Sequence, residues 1–252
     1  MDLVEQKIFT GLRHPWETSR VEAVKALTRN ILPQGRPARV LDLGCGDGYV
    51  AEQVFGGSPE VTAALVDVYF TDDAVADMES HGGRFTFHCS LEEVGEEKFH
   101  TIMMLDVLEH EENDLALLRR VTDRLADNGA ILLTVPAFQS LFSRHDEFLR
   151  HFRRYSLGQL TSVAKDAGLV PEVSGYLYTS LLLPRLLAVA LQRMGITGSL
   201  ETKGVGGWNC GPLVTGLISG YLALENSILI ALARMGIRPP GLTAWTLCRK
   251  QR

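Results

Sequence analysis

Apolar and polar positions along the chain alternate between two periods. Short apolar runs at 39–43, 61–66, 84–88, 100–105 and 130–135 read as strands, and stretches of helical spacing at 15–32, 47–56, 72–80, 112–126 and 156–167 precede, separate or follow them. In the first helical stretch Trp16, Val21, Val24, Leu27, Ile31 and Leu32 share a face. "DNGA" at 127–130 supplies a turn into the fifth run, and Gly168 ends the helix over 156–167. "LVPEVSGYLY" then resumes an extended pattern, and "LTAWTLCRK" near the carboxyl end forms a last strand. Strands that alternate with helices imply right-handed crossovers, hence a parallel sheet covered on both faces and an α/β fold.

Residues 177–241 differ in character, with "LYTSLLLPRLLAVAL" and "GPLVTGLISGYLALENSILIALARMG" both strongly apolar. In the second, a broad apolar stripe from Val214 to Leu232 faces small residues such as Gly216, Gly220, Ala223 and Ala231, a pattern that buries a helix almost all round. Glu225 and Asn226 interrupt its middle and Arg185 follows Pro184 in the first segment, so neither predicts a stable membrane span. The insertion reads as a helical cap packed on the domain, with a homodimer interface and a contact with a membrane surface as the other readings. The chain thus divides into a leading helical lid (1–35), a core (36–176), the apolar insertion (177–241) and a final strand (242–252).

Composition narrows the class. The 252 residues suffice for one large domain, and 46% hydrophobic with 22% charged residues is ordinary for a folded protein. A net charge of -5 disfavours a general nucleic-acid binder. The amino end lacks a basic stretch followed by an apolar core, so no signal peptide is expected. Cys45, Cys89, Cys210 and Cys248 have neither zinc-site nor disulfide spacing, which fits reduced thiols and a cytoplasmic location.

The candidate chemistry sits at "RVLDLGCGDGYV", residues 39–50, where the first strand runs into Gly44, Gly46 and Gly48. Glycines there permit positive φ and let a ligand lie against the backbone. The G-x-G-x-G spacing is not the G-x-G-x-x-G that cradles a pyrophosphate, which disfavours a nicotinamide oxidoreductase. Asp42, two residues earlier, would repel a phosphate and suit an amine-bearing ligand. Asp67, ending the second strand, is placed to accept the hydroxyls of a ribose.

On these residues the chain resembles the class I S-adenosylmethionine-dependent methyltransferases. "VLDLGCGDG" resembles their glycine motif, "LVDV" their second motif, "FHTIMMLDVLEH" their fourth-strand motif and "LADNGAILLTVP" the stretch into their fifth strand, over about residues 36–175. The resemblance implies a Rossmann-like, doubly wound, seven-stranded, mostly parallel sheet whose antiparallel last strand lies between the fifth and sixth. It implies S-adenosyl-L-methionine as cofactor. Gly44, Gly46 and Asp42 would border its methionine part, Asp67 its ribose and Val68 its adenine. Cys89 and Ser90 stand where the family often has an acid on the adenine amine, Ser90 and Leu91 would supply a hydroxyl and an apolar wall, and Leu105 and Asp106 would close the site. "HPWETSR" is similar to a leading-helix motif of bacterial members, in which Trp16 would lid the cofactor and Arg20 pair with its carboxylate. "VPAFQSLFSRHDEFLRHFRRYS" at 135–156 is similar to a segment of bacterial methyltransferases from glycan and natural-product pathways.

Methyl transfer to oxygen benefits from a base, and the candidates are His110, His145 and His151. A small-molecule acceptor is expected, with oxygen preferred over nitrogen or carbon; a non-catalytic cofactor-binding module is the other reading. Arg144, Arg150, Arg153 and Arg154 could hold an anionic group on it, and the greasy insertion suits an amphiphile. Asp106, Glu109 and His110 have a D-x-x-E-H spacing which, with His151, resembles the divalent-metal set of some O-methyltransferases. No metal is included in the expected site.

Overall fold

The first strand, β1 (Ala38–Leu43), is buried except at Arg39, and it can end sharply only because Gly44, Gly46 and Gly48 take φ of 72°, 60° and 74°. Gly48 is the left-handed cap of α2 (Tyr49–Phe55). The computed structural model describes residues 13–32, 35–71, 75, 83–196 and 208–250. Before β1 comes α1 (Pro15–Thr28), started by Pro15 and by the His14 imidazole, whose Nδ1 accepts the Trp16 N–H. After α2 follow β2 (Val61–Val66), β3 (Phe85–His88), β4 (Phe99–Leu105) and α3 (Asp114–Thr122). Then come β5 (Leu125–Pro136), α4 (Arg144–Phe148), α5 (Leu157–Asp166), β6 (Leu169–Leu177), α6 (Leu182–Arg193), α7 (Gly211–Arg234) and β7 (Thr243–Lys250). Both α4 and α5 open on capping boxes, Ser143 with Asp146 and Ser156 with Gln159.

The seven strands form one sheet in the order β3-β2-β1-β4-β5-β7-β6, and β7 runs antiparallel to both neighbours. This is the expected topology. Alternate residues face opposite layers: Val40, Met103, Leu132 and Trp245 pack under α1, α2 and α7, while Leu41, Ile102, Ile131 and Leu133 pack under α3 and α5. The strand order reverses between β1 and β4, so their carboxyl ends diverge and open a crevice.

Several boundaries differ from the pattern. The leading helix stops at Thr28, and the 112–126 helix is the shorter Asp114–Thr122. β5 begins at Leu125, so "DNGA" lies within it, as a kink with Asn128 at φ 61° and a register shift opposite Phe99/Thr101. The helix expected over 72–80 lies outside the described residues except for Val75, as do residues 1–12 of the expected lid and 197–207 of the insertion. The expectation that α7 is buried almost all round is corrected. Its covered line is Thr215, Leu222, Asn226, Leu229, Ile230 and Ala233, while Leu217, Tyr221, Leu224 and Ile228 face outward. The reason is geometric: α7 meets α1 and β6 along one side, and no described element covers the other.

Candidate active site

The crevice is a cavity of about 940 Å³, built from the carboxyl ends of β1, β2 and β4, the segment after β5, α1, and the start of α6. Every residue expected from the sequence to bind the cofactor, and each of the three candidate histidines, lines it. Asp42, Gly44, Gly46, Asp67 and Val68 come from the first two strand ends, and Ser90, Leu91, Leu105 and Asp106 from the next two. Trp16 and Arg20 come from α1, and His110, His145 and His151 from the far wall.

The glycine loop is held open from behind. The Gly46 N–H donates to Asp67 Oδ2 (2.8 Å) and the Tyr69 N–H to Asp67 Oδ1 (3.0 Å), which fixes this buried carboxylate at the mouth of β2. A Cβ on Gly44 would meet Val107 Cγ2 at 2.5 Å, so glycine is required on steric grounds as well as for φ. Asp42 is 1% exposed with no hydrogen-bond partner on either oxygen, and burial pushes its carboxyl up to about 7 against the pull of Arg20. A buried acid with no donor, facing a cavity, is arranged for a cationic group that the ligand brings.

Arg20 reaches down from α1 to Asp106, with Nη2 3.1 Å from Oδ2, and its guanidinium lies over the Trp16 ring at 4.8 Å. Asp106 also accepts from Thr134 Oγ1 (3.0 Å) and holds φ 59°, a left-handed conformation that costs a non-glycine residue energy and clusters at functional sites. Ser90 turns its hydroxyl to Glu93 (3.2 Å), and Val68 is 75% exposed at the rim.

On the far wall Asp146 is fully buried and gathers a network. It accepts from Arg154 Nε (2.7 Å) and from the Ser143 N–H (2.9 Å) and hydroxyl (3.1 Å), and pairs through Oδ1 with His151 Nδ1 (3.0 Å). Burial alone would raise its pKa, but the His151 and Arg154 contacts hold it far below the usual range. With Nδ1 engaged, the His151 ring presents Nε2 as its other polar atom, and it meets His110 edge to face with centroids 4.6 Å apart. Glu109 beside them is fully buried with no hydrogen-bond partner on either oxygen; burial, then Asp106, hold it well above the usual carboxylate range. Among the described residues, Glu109, His110 and His151 each bring a ligand atom within 4.8 Å of the others, a set that could hold a divalent cation. Asp106, first in the D-x-x-E-H spacing, is outside that set because Arg20 and Thr134 occupy it. His145 is also outside it, and burial and the charge of Arg185 lower its pKa.

The expected arginine cluster is corrected. Arg153 is drawn away to Asp114 (3.0 Å) and the Glu112 carbonyl, Arg144 is not in the lining, and Arg154 is committed to Asp146. Arg150 lines this side, and Arg185 of α6 joins the Asp146 network, donating to Ser143 Oγ (2.6 Å) and lying 3.7 Å from Asp146 Oδ2. The sequence reading missed Asp146 and Arg185. The S-x-x-D capping spacing at 143–146 was the available signal for Asp146; Arg185 gave none.

The comparisons agree with this geometry. The profile of the family described as a methyltransferase domain matches residues 16–172. The malonyl-[acyl-carrier protein] O-methyltransferases of Bacillus cereus and Bacillus cytotoxicus are 27% identical over 129 residues and 26% identical over 135. Each alignment covers 50% of this chain, and the chain spans about half of those relatives' length, 48% and 47%. A solved structure of the 1,6-didemethyltoxoflavin-N1-methyltransferase of Burkholderia thailandensis superposes with a TM-score of 0.55 at 16% identity, over 93% of this chain and 79% of that one. Phosphoethanolamine N-methyltransferase 2 of Haemonchus contortus gives 0.55 at 18%, over 91% and 52%. Glycine loop, strand order and family profile converge: the chain belongs to the class I S-adenosylmethionine-dependent methyltransferases.

Proposed function

We propose that this enzyme transfers a methyl group to an oxygen of a small-molecule acceptor. The observation that carries the oxygen assignment is the Asp146–His151 pair, a buried carboxylate orienting an imidazole in the same cavity as the glycine loop. An oxygen acceptor must lose a proton as it is methylated, and an imidazole so held is suited to take it at Nε2. O-methyltransferase is also the activity named for the Bacillus relatives, which supports the reading.

S-adenosylmethionine, when bound, supplies an electrophilic methyl group on a sulfonium centre. The chain's own residues bind and orient. Asp42 accepts from an ammonium group, and Asp67, braced by the Gly46 and Tyr69 N–H groups at the cavity wall, accepts from ribose hydroxyls. Gly44 and Gly46 let the ligand approach the backbone, Leu91 and Leu105 wall it, and Val68 flanks the base at the rim. Trp16 and Arg20 cover the crevice from α1 and exclude water. On the acceptor side His110 packs against His151, His145 offers a neutral hydrogen-bonding ring, and Arg150 favours an acceptor with an anionic group.

One observation favours a second reading. The orphaned Glu109 carboxyl, with His110 and His151, would hold a divalent cation that lowers the pKa of an acceptor hydroxyl. S-adenosylhomocysteine release with a panel of hydroxyl- and carboxyl-bearing acceptors separates the two. In the base reading His151→Ala lowers kcat by about 100-fold or more and EDTA has no effect. In the metal reading EDTA abolishes turnover and manganese or magnesium restores it. Methyl incorporation at nitrogen, read by mass spectrometry, overturns the oxygen assignment itself.

A further inference from the structure

A helix lying on a folded core normally turns its apolar stripe inward and its polar residues to water. In α7 the outward side is apolar as well as the covered one. The covered line includes Thr215 and Asn226, whereas Leu213, Leu217, Tyr221, Leu224, Ile228 and, just past the end, Met235 face outward at three- and four-residue steps, 53–76% exposed. Over 24 residues that apolar ridge is about 36 Å long. An exposed apolar surface of this extent marks a contact with something apolar.

Charge distinguishes the partner. The one acid of α7, Glu225, is turned inward, where it accepts the Ser180 N–H (2.6 Å) and hydroxyl (2.9 Å). Neither α6 nor α7 exposes an acidic residue; the exposed charges on these helices and the turn after α7 are Arg193, Arg234 and Arg238, in a chain whose net charge is -5. An anionic lipid surface complements these positive charges, which gather at the carboxyl ends of the two helices. By length and composition α7 could also cross a membrane. Its packing excludes that role: Ser219 bonds Thr18 of α1 (2.7 Å), and the Asn226 side chain accepts the Tyr178 N–H (3.1 Å) at the end of β6. One side of the helix is thus fastened to the sheet layer while the other is greasy with basic ends, the form of a helix that lies in the plane of an interface.

We propose that the outer face of α7 docks this protein on an anionic lipid surface, with Leu217, Tyr221, Leu224 and Ile228 entering the headgroup boundary and Arg238 pairing with lipid phosphates, while Arg234 also donates to the Ala26 carbonyl of α1 (3.0 Å). The docking stands independently of the acceptor chemistry, because it is read by binding and not by turnover.

Flotation of the full chain with vesicles of phosphatidylglycerol and phosphatidylcholine, compared with phosphatidylcholine alone, tests it. The chain is expected to float with the anionic vesicles and to bind the neutral ones several-fold more weakly. The double variant L217E/L224E is expected to lose about tenfold or more of the anionic binding. Its S-adenosylhomocysteine affinity stays unchanged, since neither residue lines the cavity. R238Q, which leaves the apolar ridge intact, is expected to bind the anionic vesicles about fivefold more weakly. Absence of flotation, or unchanged vesicle affinity in both variants, overturns the proposal. So does a dimer in sedimentation velocity that ignores vesicles and that L217E/L224E converts to monomer, an outcome that assigns the face to a second copy.

Discussion

Asp42 and Asp146 are both buried acids, and their surroundings drive them in opposite directions. Asp146 has three donor residues around it and stays ionised; Asp42 has none, and its pKa rises to about 7. Because an ammonium group prefers the ionised form, S-adenosylhomocysteine affinity should climb as pH rises towards 7, by at most tenfold per unit, and level off above it. Binding near pH 7 should release a proton, visible in calorimetry as a dependence of heat on buffer, and Asp42→Asn should remove both effects. The same raised pKa means that the unliganded fold loses the Asp42 contribution to stability as pH climbs through about 7, since the native state then holds a proton that the unfolded state has already given up. For Asp146 the expectation is structural. Asp146→Ala leaves Arg154 buried without its partner and should cost about 3–5 kcal/mol in urea unfolding, whereas His151→Ala should cost far less and lose turnover. The glycines and strand-end acids were legible in the sequence because local backbone geometry and position along a strand dictate their roles. Arg153 was not, because the carboxylate that captures it, Asp114, lies 39 residues away in sequence and meets it only once α3 has packed.

At the scale of elements, the strands were legible because runs buried on both faces leave a continuous apolar signature, and the order of β7 followed from the family resemblance. The face that α7 turns to the sheet was not. Both sides of that helix are apolar or small, so a helical wheel cannot choose between them, and the choice is made by Asn226 and Glu225, which bind the chain as it leaves β6. The expectation of burial all round took the two polar residues for an interruption, when they are the anchor. Tyr178 holds φ 61° there, with its N–H satisfied by Asn226. Asn226→Ala should therefore leave a buried N–H unpaired and lower stability by about 1–3 kcal/mol, with hydrogen exchange rising first at the end of β6 and along α7. Gly175→Ala tests the same seam from the strand side. The added Cβ would lie 2.8 Å from Ala233 Cβ and 3.3 Å from the Trp245 ring, so α7 must lift, at a cost of about 1–3 kcal/mol.

For the molecule as a whole, the cavity is where distant parts of the chain meet. The sheet's two layers are each closed by their own helices, yet the crevice between β1 and β4 is walled by α1 from the start of the chain and by the lead into β7 from its end. A ligand that touches β1, β2, β4 and α1 at once is bound only by the assembled fold, so its affinity adds directly to global stability. At about 100 times its dissociation constant, S-adenosylhomocysteine should contribute about 2.7 kcal/mol, which for a domain of this size raises Tm by about 5–10 °C. Asp67→Ala should shrink that rise. The variant loses a ligand contact that weakens binding about ten- to a hundredfold, and it also frees the Gly46 and Tyr69 N–H groups, so the unliganded protein melts lower as well. Measured by scanning calorimetry across a ligand titration, the two effects separate. Loop loosening shifts Tm at zero ligand, and the lost ribose contact moves the titration midpoint to higher concentration. A nicotinamide dinucleotide should shift neither, because the loop at Gly44–Gly48 lacks the spacing that cradles a pyrophosphate and Asp42 beneath it repels one. If the midpoint for S-adenosylhomocysteine stays put in Asp67→Ala, the ribose lies elsewhere in the crevice and Asp67 serves only to brace the loop.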